Sequence, residues 1–172
     1  METLLACHDR GVFHNDVKDE NLLLDLETMR LKLIDFGAAL PFSQRRVYTS
    51  NDFNGTRIWA APEFLEHAKL RAESATVWSL GCLLYDMLCG DIPFRREQDA
   101  IKGKFQYRRQ GLSASVVDLI DKCLKVKPRD RIRLQDILKH PWVSGQDSDG
   151  EQLTDHSETY ICTESSNQSE SL

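Results

Sequence analysis

The sequence predicts a mainly α-helical domain with one small β-hairpin near its start. Three observations lead there. After Pro62, apolar residues recur at helical spacing in four segments separated by stop signals. Before it, two short apolar runs flank the polar turn Glu27-Thr28-Met29-Arg30, the pattern of a hairpin. A chain of 172 residues has room for one such domain with a tail.

The elements follow in order. Thr3 to His8 reads as a short helical stub. Asn21–Asp25, with its run Leu22-Leu23-Leu24, and Leu31-Lys32-Leu33-Ile34 are the hairpin strands. Residues 38–60 hold Pro41 and Gly55 and show no sustained period, and a long irregular segment inside a compact domain is usually functional. Ser74 is placed to cap a long helix from Ala75 to Cys89, with Gly90 in the C-terminal capping position. That helix is apolar nearly all round (Val77, Trp78, Leu80, Leu83, Leu84, Met87, Leu88), which predicts a central position. Ile92-Pro93-Phe94 ends it, and Glu97 to Lys104 reads as a weaker helix. Ser113 caps the next, where Val116, Val117, Leu119, Ile120, Cys123 and Leu124 keep helical spacing. Leu134, Ile137 and Leu138 mark a last helix, stopped by Pro141. Trp78, Phe94 and Trp142 are expected in the core.

Composition narrows the function. Apolar residues make up 41% and charged residues 28%, enough for a core and a soluble surface. No run approaches 18 apolar residues, so no membrane-spanning helix is expected. Met1-Glu2-Thr3-Leu4-Leu5 lacks the basic start of a secretory leader. The five cysteines form no C-x-x-C pair, which argues against a disulfide framework or a zinc site and fits a reducing compartment. The five histidines form no ligand cluster. A net charge of -5 gives no general reason to bind nucleic acid.

That charge is unevenly placed. Residues 144–172 carry Asp147, Asp149, Glu151, Asp155, Glu158, Glu164 and Glu170, ten Ser or Thr, and no Lys or Arg. Taking those seven from the 27 acidic residues leaves 20 against 22 Lys and Arg in 1–143. The tail has too little apolar surface to offset its ordering entropy, so it is expected to be disordered and solvated. A regulatory tail phosphorylated on hydroxyls that precede acidic residues is the alternative.

Two motifs carry chemistry. The first is His14-Asn15-Asp16-Val17-Lys18-Asp19-Glu20-Asn21; the second, beyond the hairpin, is Asp35-Phe36-Gly37. Ala61-Pro62-Glu63 follows. A lone Asp-Phe-Gly is weak, and Asp16, Lys18 and Glu20 taken singly read as a solvated loop. The ordered set reverses that reading, with the hairpin bringing Asn21 and Asp35 together.

This set resembles the catalytic-loop, metal-binding and activation-segment signature of protein kinases. Lys18-Asp19-Glu20-Asn21, Val77-Trp78-Ser79-Leu80-Gly81 and Cys89-Gly90-Asp91-Ile92-Pro93-Phe94 resemble the Pim family of serine/threonine kinases. The resemblance covers residues 1–143, as the larger C-terminal lobe of a protein-kinase-like fold, with 144–172 an acidic tail. It implies an ATP-dependent phosphoryl transfer to Ser or Thr hydroxyls of proteins, with ATP and Mg2+ as cofactors. Asp16 would accept or orient the substrate hydroxyl proton, and Lys18 would neutralise charge on the transferred phosphoryl. Asn21 and Asp35 offer the hard oxygens that suit magnesium. Gly37 is expected to let the chain turn after the metal ligand. His14 reads as a core histidine, and Glu63 and Arg131 as a buried structural ion pair.

Substrate contact is expected from Thr56 beside the acceptor residue, and from Asp19, Glu20 and Asp91, whose carboxylates would attract Arg and Lys. Arg95-Arg96 stand where Pim relatives carry acidic residues and work against that preference. The implied protein is a monomer in cytoplasm and nucleus, with no nucleic-acid or membrane partner.

The chain departs from the pattern. Asn15 replaces the Arg that clamps an activation-segment phosphate, so phosphorylation of Ser43, Tyr48, Thr49 or Ser50 is not expected to order this loop. Thr76 stands where most kinases place an Asp that braces the catalytic loop, and Pim relatives also lack that Asp. No G-x-G-x-x-G loop, no strand lysine for the α- and β-phosphates and no hinge are found. The smaller lobe is therefore expected to be absent, with the ATP site a half-cleft open to water and an apolar face exposed. Three readings follow: a kinase lobe that transfers phosphate poorly alone, an inactive module that docks substrates or partners, and an unstable truncation with no role.

Overall fold

The computed structural model describes residues 1–146. The acidic segment predicted from residue 144 lies, from 147 on, outside the described residues. Among the described residues no helix is long and apolar enough to cross a membrane.

Helix α1 (Glu2–Asp9) leads into β1 (Val12–Phe13), and a 3-10 turn over Asp19–Asn21 enters the hairpin β2 (Leu22–Asp25) and β3 (Arg30–Leu33). The hairpin register pairs Leu22 with Leu33 and Asp25 with Arg30, as the two apolar runs predict. The Asp25 carboxylate accepts the Glu27 and Thr28 N–H groups and shapes the turn. The long segment that follows is largely irregular. It contributes β4 (Leu40–Pro41), antiparallel to β1, and β5 (Tyr48–Thr49). Helix α2 (Pro62–His67) opens on proline, and β6 (Lys69–Leu70) pairs with β5.

Helix α3 runs from Ala72 to Cys89. It begins three residues earlier than the Ser74 cap predicts. Arg71, extended, precedes the first turn, and the Ser74 hydroxyl bonds back to the Arg71 carbonyl instead of capping. Gly90 ends the helix in the left-handed region, as expected. Trp78 and Tyr85 are wholly buried, so α3 is the axis of the domain; Met87, near its end, is exposed. Helix α4 (Glu97–Lys102) is shorter than predicted, ending on the left-handed Gly103. Helix α5 (Ala114–Cys123) is capped by Ser113, which accepts the Val116 N–H. Its Val116, Leu119, Ile120 and Cys123 are buried, and it packs on α3.

Helix α6 (Leu134–Ile137) does not end the fold: Pro141 opens a further turn, α7 (Pro141–Ser144), from the N1 position proline favours. Trp142 lies on the outside of α7, 37% exposed, and is not the core residue expected. His140 takes the buried place beside it, with Nε2 2.9 Å from an Asp118 oxygen of α5.

Three apolar clusters result. The largest gathers Trp78, Tyr85, Phe94 and Ile120 and reaches Val17 in the catalytic loop. A second gathers Phe13, Phe64 and Leu70 around Tyr48 of the irregular segment 38–60, the activation segment of the resemblance. The third holds Val77, Leu119, Leu134 and Ile137 among α3, α5 and α6. Arg131 stitches them. Its guanidinium grips both Glu63 oxygens at 2.9 and 2.5 Å and donates to the carbonyls of Ser74, Lys125 and Val126. It also lies 5.0 Å from the Trp78 ring centre. The expected ion pair is therefore present, and the Arg131 side chain is 1% exposed. Replacing Arg131 with Met would strand Glu63 and three carbonyls, a loss of about 3–5 kcal/mol for a broken buried pair. Urea unfolding of the variant against the parent chain checks this, a large drop in midpoint being expected.

Candidate functional site

The first motif forms a tight loop between β1 and the 3-10 turn. His14, 1% exposed, anchors it. Its Nε2 lies 3.0 Å from the Ile34 carbonyl, and its Nδ1 accepts the Asp16 N–H at 3.4 Å. The tautomer with its proton on Nε2 satisfies both, so the residue is structural, as expected. Asn15 adopts a left-handed φ of 67° that asparagine tolerates. Its side-chain amide donates to the Ala38 carbonyl at 3.2 Å, tying the loop to the segment after Asp35-Phe36-Gly37.

Asp16 is the hub. One carboxylate oxygen accepts the Thr56 N–H at 2.8 Å. The other accepts from Asn21 Nδ2 at 3.1 Å and faces Lys18 Nζ at 3.4 Å. Asn21 Nδ2 also donates to the Asp16 carbonyl at 2.7 Å. Lys18 Nζ donates to the Thr56 hydroxyl at 2.8 Å and pairs with Glu20 at 2.7 Å. Desolvation alone would push the Asp16 carboxyl up. The Thr56 N–H and hydroxyl, the Lys18 charge and Asn21 outweigh it and hold Asp16 below the usual carboxylate range. Lys18 is held above its usual range, first by its bond to Glu20 and then by Asp16.

Four sequence-predicted residues, Asp16, Lys18, Asn21 and Thr56, thus meet at one point. Asp35 sits nearby through the backbone: the Ile34 N–H donates to the Asn21 carbonyl at 2.9 Å. Asp35 itself is exposed and has a left-handed φ of 58°, so the turn falls on the aspartate and not on Gly37, as the sequence reading had it. Gly37 serves differently. Its N–H donates to Asp35 Oδ1 at 3.0 Å, a contact its missing Cβ leaves room for. Asn21 spends its amide nitrogen on Asp16, which leaves its amide oxygen available.

An amide oxygen and an exposed carboxylate are hard donors, and magnesium characteristically takes one or two such groups plus substrate phosphates. The donor set fits Mg2+ carried in with a nucleotide. Among the described residues no three His, Cys, Asp or Glu side chains gather to hold a metal by themselves.

The bracing from α3 is absent in a specific way. Thr76 donates to Ala72 within its own helix at 2.9 Å and lies 3.5 Å from His8 Nε2. A cavity of about 20 Å³, room for one water, lies between it and the loop, lined by Asn15, Asp16, Val17, Trp59 and Ser79. The loop leans on the activation segment instead. A Cβ at Gly55 would meet the Asn15 carbonyl oxygen at 2.4 Å, so only glycine permits the approach that delivers the Thr56 N–H.

The activation segment carries its own pins. Asp52 accepts from the Thr49 N–H and hydroxyl at 2.9 and 3.2 Å and from Arg46 at 2.7 Å. Tyr48 is 1% exposed, and its hydroxyl donates to the Pro41 carbonyl at 2.6 Å. Arg57 grips Glu97 of α4 through two bonds.

The substrate-side acids divide. Glu20 is exposed beside Lys18. Asp91 is not free: Arg95 and Arg108 both bond to its carboxylate and hold it below the usual range, the bond from Arg95 foremost. Sequence reasoning noticed Arg95 but had no signal for Arg108, which lies seventeen residues beyond Asp91. It also passed over Asp86. Burial first, then the charges of Asp19 and Asp91, push that carboxyl above its usual range. Its place on α3 five residues before Asp91 is the signal that was there to use.

Residues 1–143 match the protein kinase domain family, and the chain belongs to it. Among its relatives it is 42% identical over 157 residues to the serine/threonine-protein kinase pim-2 of Danio rerio, covering 91% of this chain and 49% of that protein. It is 44% identical over 156 residues to the serine/threonine-protein kinase prk-2 of Caenorhabditis elegans, covering 88% of this chain and 34% of that one. CBL-interacting protein kinase 16 of Oryza sativa is 41% identical over 143 residues, 79% of this chain and 31% of that protein. The resemblance to the Pim family read from the sequence therefore stands. The chain spans about half the length, or less, of the curated relatives it matches.

Two outcomes test this geometry. Asp16 has a depressed pKa, so its stabilising contribution is present above about 3.9, the unfolded value, and is lost as pH falls through the lower folded value. The stability gap between the parent chain and Asp16→Asn should narrow below about pH 4 in urea titrations run at several pH values. Gly55→Ala should cost about 1–3 kcal/mol, because backbone rather than a flexible side chain must give way. Thermal unfolding measures it, and an unchanged midpoint would contradict the close approach.

Proposed function

We propose that this chain provides the larger, helical lobe of a Pim-like serine/threonine kinase, with residues 1–143 as the lobe and 144–172 as an appended acidic segment. The observation that carries the reading is the meeting of Asp16, Lys18, Asn21 and Thr56, with Asp16 bonded to the Thr56 N–H and to Asn21, and Lys18 bonded to the Thr56 hydroxyl, in a family whose reaction is phosphoryl transfer. That reaction asks for positioning and charge neutralisation rather than covalent chemistry.

In this reading ATP, bound with Mg2+, supplies the phosphoryl group. Asn21 and Asp35 would hold the metal through their oxygens. Asp16, kept ionised by its donors, would accept or orient the proton of the substrate hydroxyl as the hydroxyl oxygen bonds to the γ-phosphorus, the bond from that phosphorus to the β,γ-bridging oxygen breaks and ADP leaves. Lys18 neutralises charge on the phosphoryl in flight, and Thr56 fixes the distance between Lys18 and Asp16. The nucleotide half-site on this lobe opens to water, where such charges are weakened by screening, so transfer by this polypeptide alone is slow.

Substrate preference follows from the acids. Asp86 is crowded by the charges of Asp19 and Asp91, and a Lys or Arg side chain would relieve it; with the exposed Glu20, this favours basic peptides. Asp91 contributes less than its position suggests, because two arginines already neutralise it. The activation segment needs no added phosphate in this reading, since Asp52 already supplies a carboxylate between Arg46 and Thr49. The protein acts as a monomer in cytoplasm and nucleus, on protein substrates.

A second reading has its own support. Leu24 and Leu31, paired across the hairpin, are exposed, as are Leu23, Leu26, Met29 and Phe36, apolar surface suited to a docking module that transfers no phosphate. Calorimetry with ATP, with and without Mg2+, and radiolabel transfer to an Arg-rich Ser peptide separate the two. The kinase reading expects magnesium-dependent ATP binding and slow transfer. It also expects Asp16→Asn to cut transfer by about 100-fold or more while ATP binding persists. Peptide binding without any magnesium-dependent ATP binding would favour the docking module.

A further inference from the structure

The stretch from Pro93 to Arg108 forms an open groove of about 1020 Å³, and its lining is basic. Arg95, Arg96, Lys104 and Arg108 line it and are exposed. Two carboxylates meet these four cations: Asp91 bonds Arg95 and Arg108, and Asp99 bonds Arg96. Lys104 has no ion pair among the described residues. Four cations against two carboxylates leave a positive surplus on one surface of a chain whose total charge is -5.

We propose that this groove is the docking site for the chain's own acidic segment, residues 147–172. The charges match: the segment carries seven carboxylates and no Lys or Arg. The attachment point matches too. The described chain leaves the body just after α7, which packs on α5 through His140 and Asp118. The groove is fastened to the same helix, because the Tyr107 hydroxyl bonds Asp121 at 2.8 Å and the Val117 carbonyl at 3.3 Å. Helix α5 has ten residues, about 15 Å of length. The 26 residues from 147 to 172 reach at most about 90 Å, so the groove is well within range.

The sequence places acids at every second position directly after the exit, at Asp147, Asp149 and Glu151. Each exposed ion pair contributes little by itself. Tethering compensates, since a short linker gives an effective concentration in the millimolar range. The contact is electrostatic and exposed, so salt weakens it. It does not depend on whether the chain transfers phosphate.

The test uses the full chain. Backbone amide NMR spectra are compared for the parent and for a variant with the seven tail carboxylates changed to amides, which leaves the folded body untouched. The proposal expects shift differences concentrated at residues 93–108, vanishing in about 0.5 M salt. They should also vanish in an Arg96→Glu, Lys104→Glu variant whose α3 and α5 resonances stay in place. A synthetic 147–172 peptide should bind the neutralised variant at least about five-fold more tightly than the parent, whose groove is already filled. Identical spectra, differences lying elsewhere on the body, or equal peptide affinity for both chains would overturn the proposal. So would displacement of the tail by an unrelated acidic peptide at micromolar concentration, which would assign the groove to another protein.

Discussion

The Asp16 carboxylate sets the terms for the rest of the site. It is partly buried, so it must be paired or be costly, and its pairing decides where three chain segments lie. One oxygen takes the Thr56 N–H and fixes the activation segment. The other meets Asn21 and Lys18 and fixes the turn into the hairpin. Lys18 closes the circuit on the Thr56 hydroxyl. Each donor that shapes the fold also keeps the carboxylate ionised.

This arrangement shifts the burden of support. Thr76 on α3 gives the catalytic loop no hydrogen bond among the described residues, and a small cavity lies between them. The loop is instead held from the activation-segment side, by Asn15 on Ala38 and by the close approach of Gly55. The activation segment needs a firm seat of its own for that to succeed. Tyr48 packed against Phe13, Asp52 between Arg46 and Thr49, and the Glu63–Arg131 pair supply it. Arg131 carries that support to Trp78 and the core of α3. Asp91 links the groove beside α4 to Asp86 on α3, since it bonds Arg95 and Arg108 and its charge acts on the Asp86 carboxyl.

Local chemistry made much of this legible. Gly90 and Ser113 mark helix ends by the conformational and hydrogen-bonding preferences of one residue, and both do so here. The hairpin register follows from two apolar runs around a polar turn. The order of Asp16, Lys18, Asn21, Asp35 and Thr56 points to one site because loop and hairpin are short. What failed depended on partners distant in sequence. Ser74 looks like a cap, but the start of α3 is set by extended Arg71, whose guanidinium bonds the Gln44 and Arg45 carbonyls. Trp142 looks like core, but His140 fills the space. Asp91 looks free until Arg108 comes round from beyond α4. The left-handed turn at Asp35 has no composition signal, because glycine two residues on is the usual candidate.

The central claim is that the Thr56 N–H is locked onto Asp16 in the resting chain. Amide hydrogen exchange at Thr56 reads this bond directly. The account predicts protection comparable to the amides of α3 around Trp78 and Tyr85, falling sharply in Asp16→Ala, where no acceptor remains. Exchange at Thr56 as fast as at the exposed hairpin turn around Glu27 and Thr28, or protection unchanged by Asp16→Ala, would contradict it.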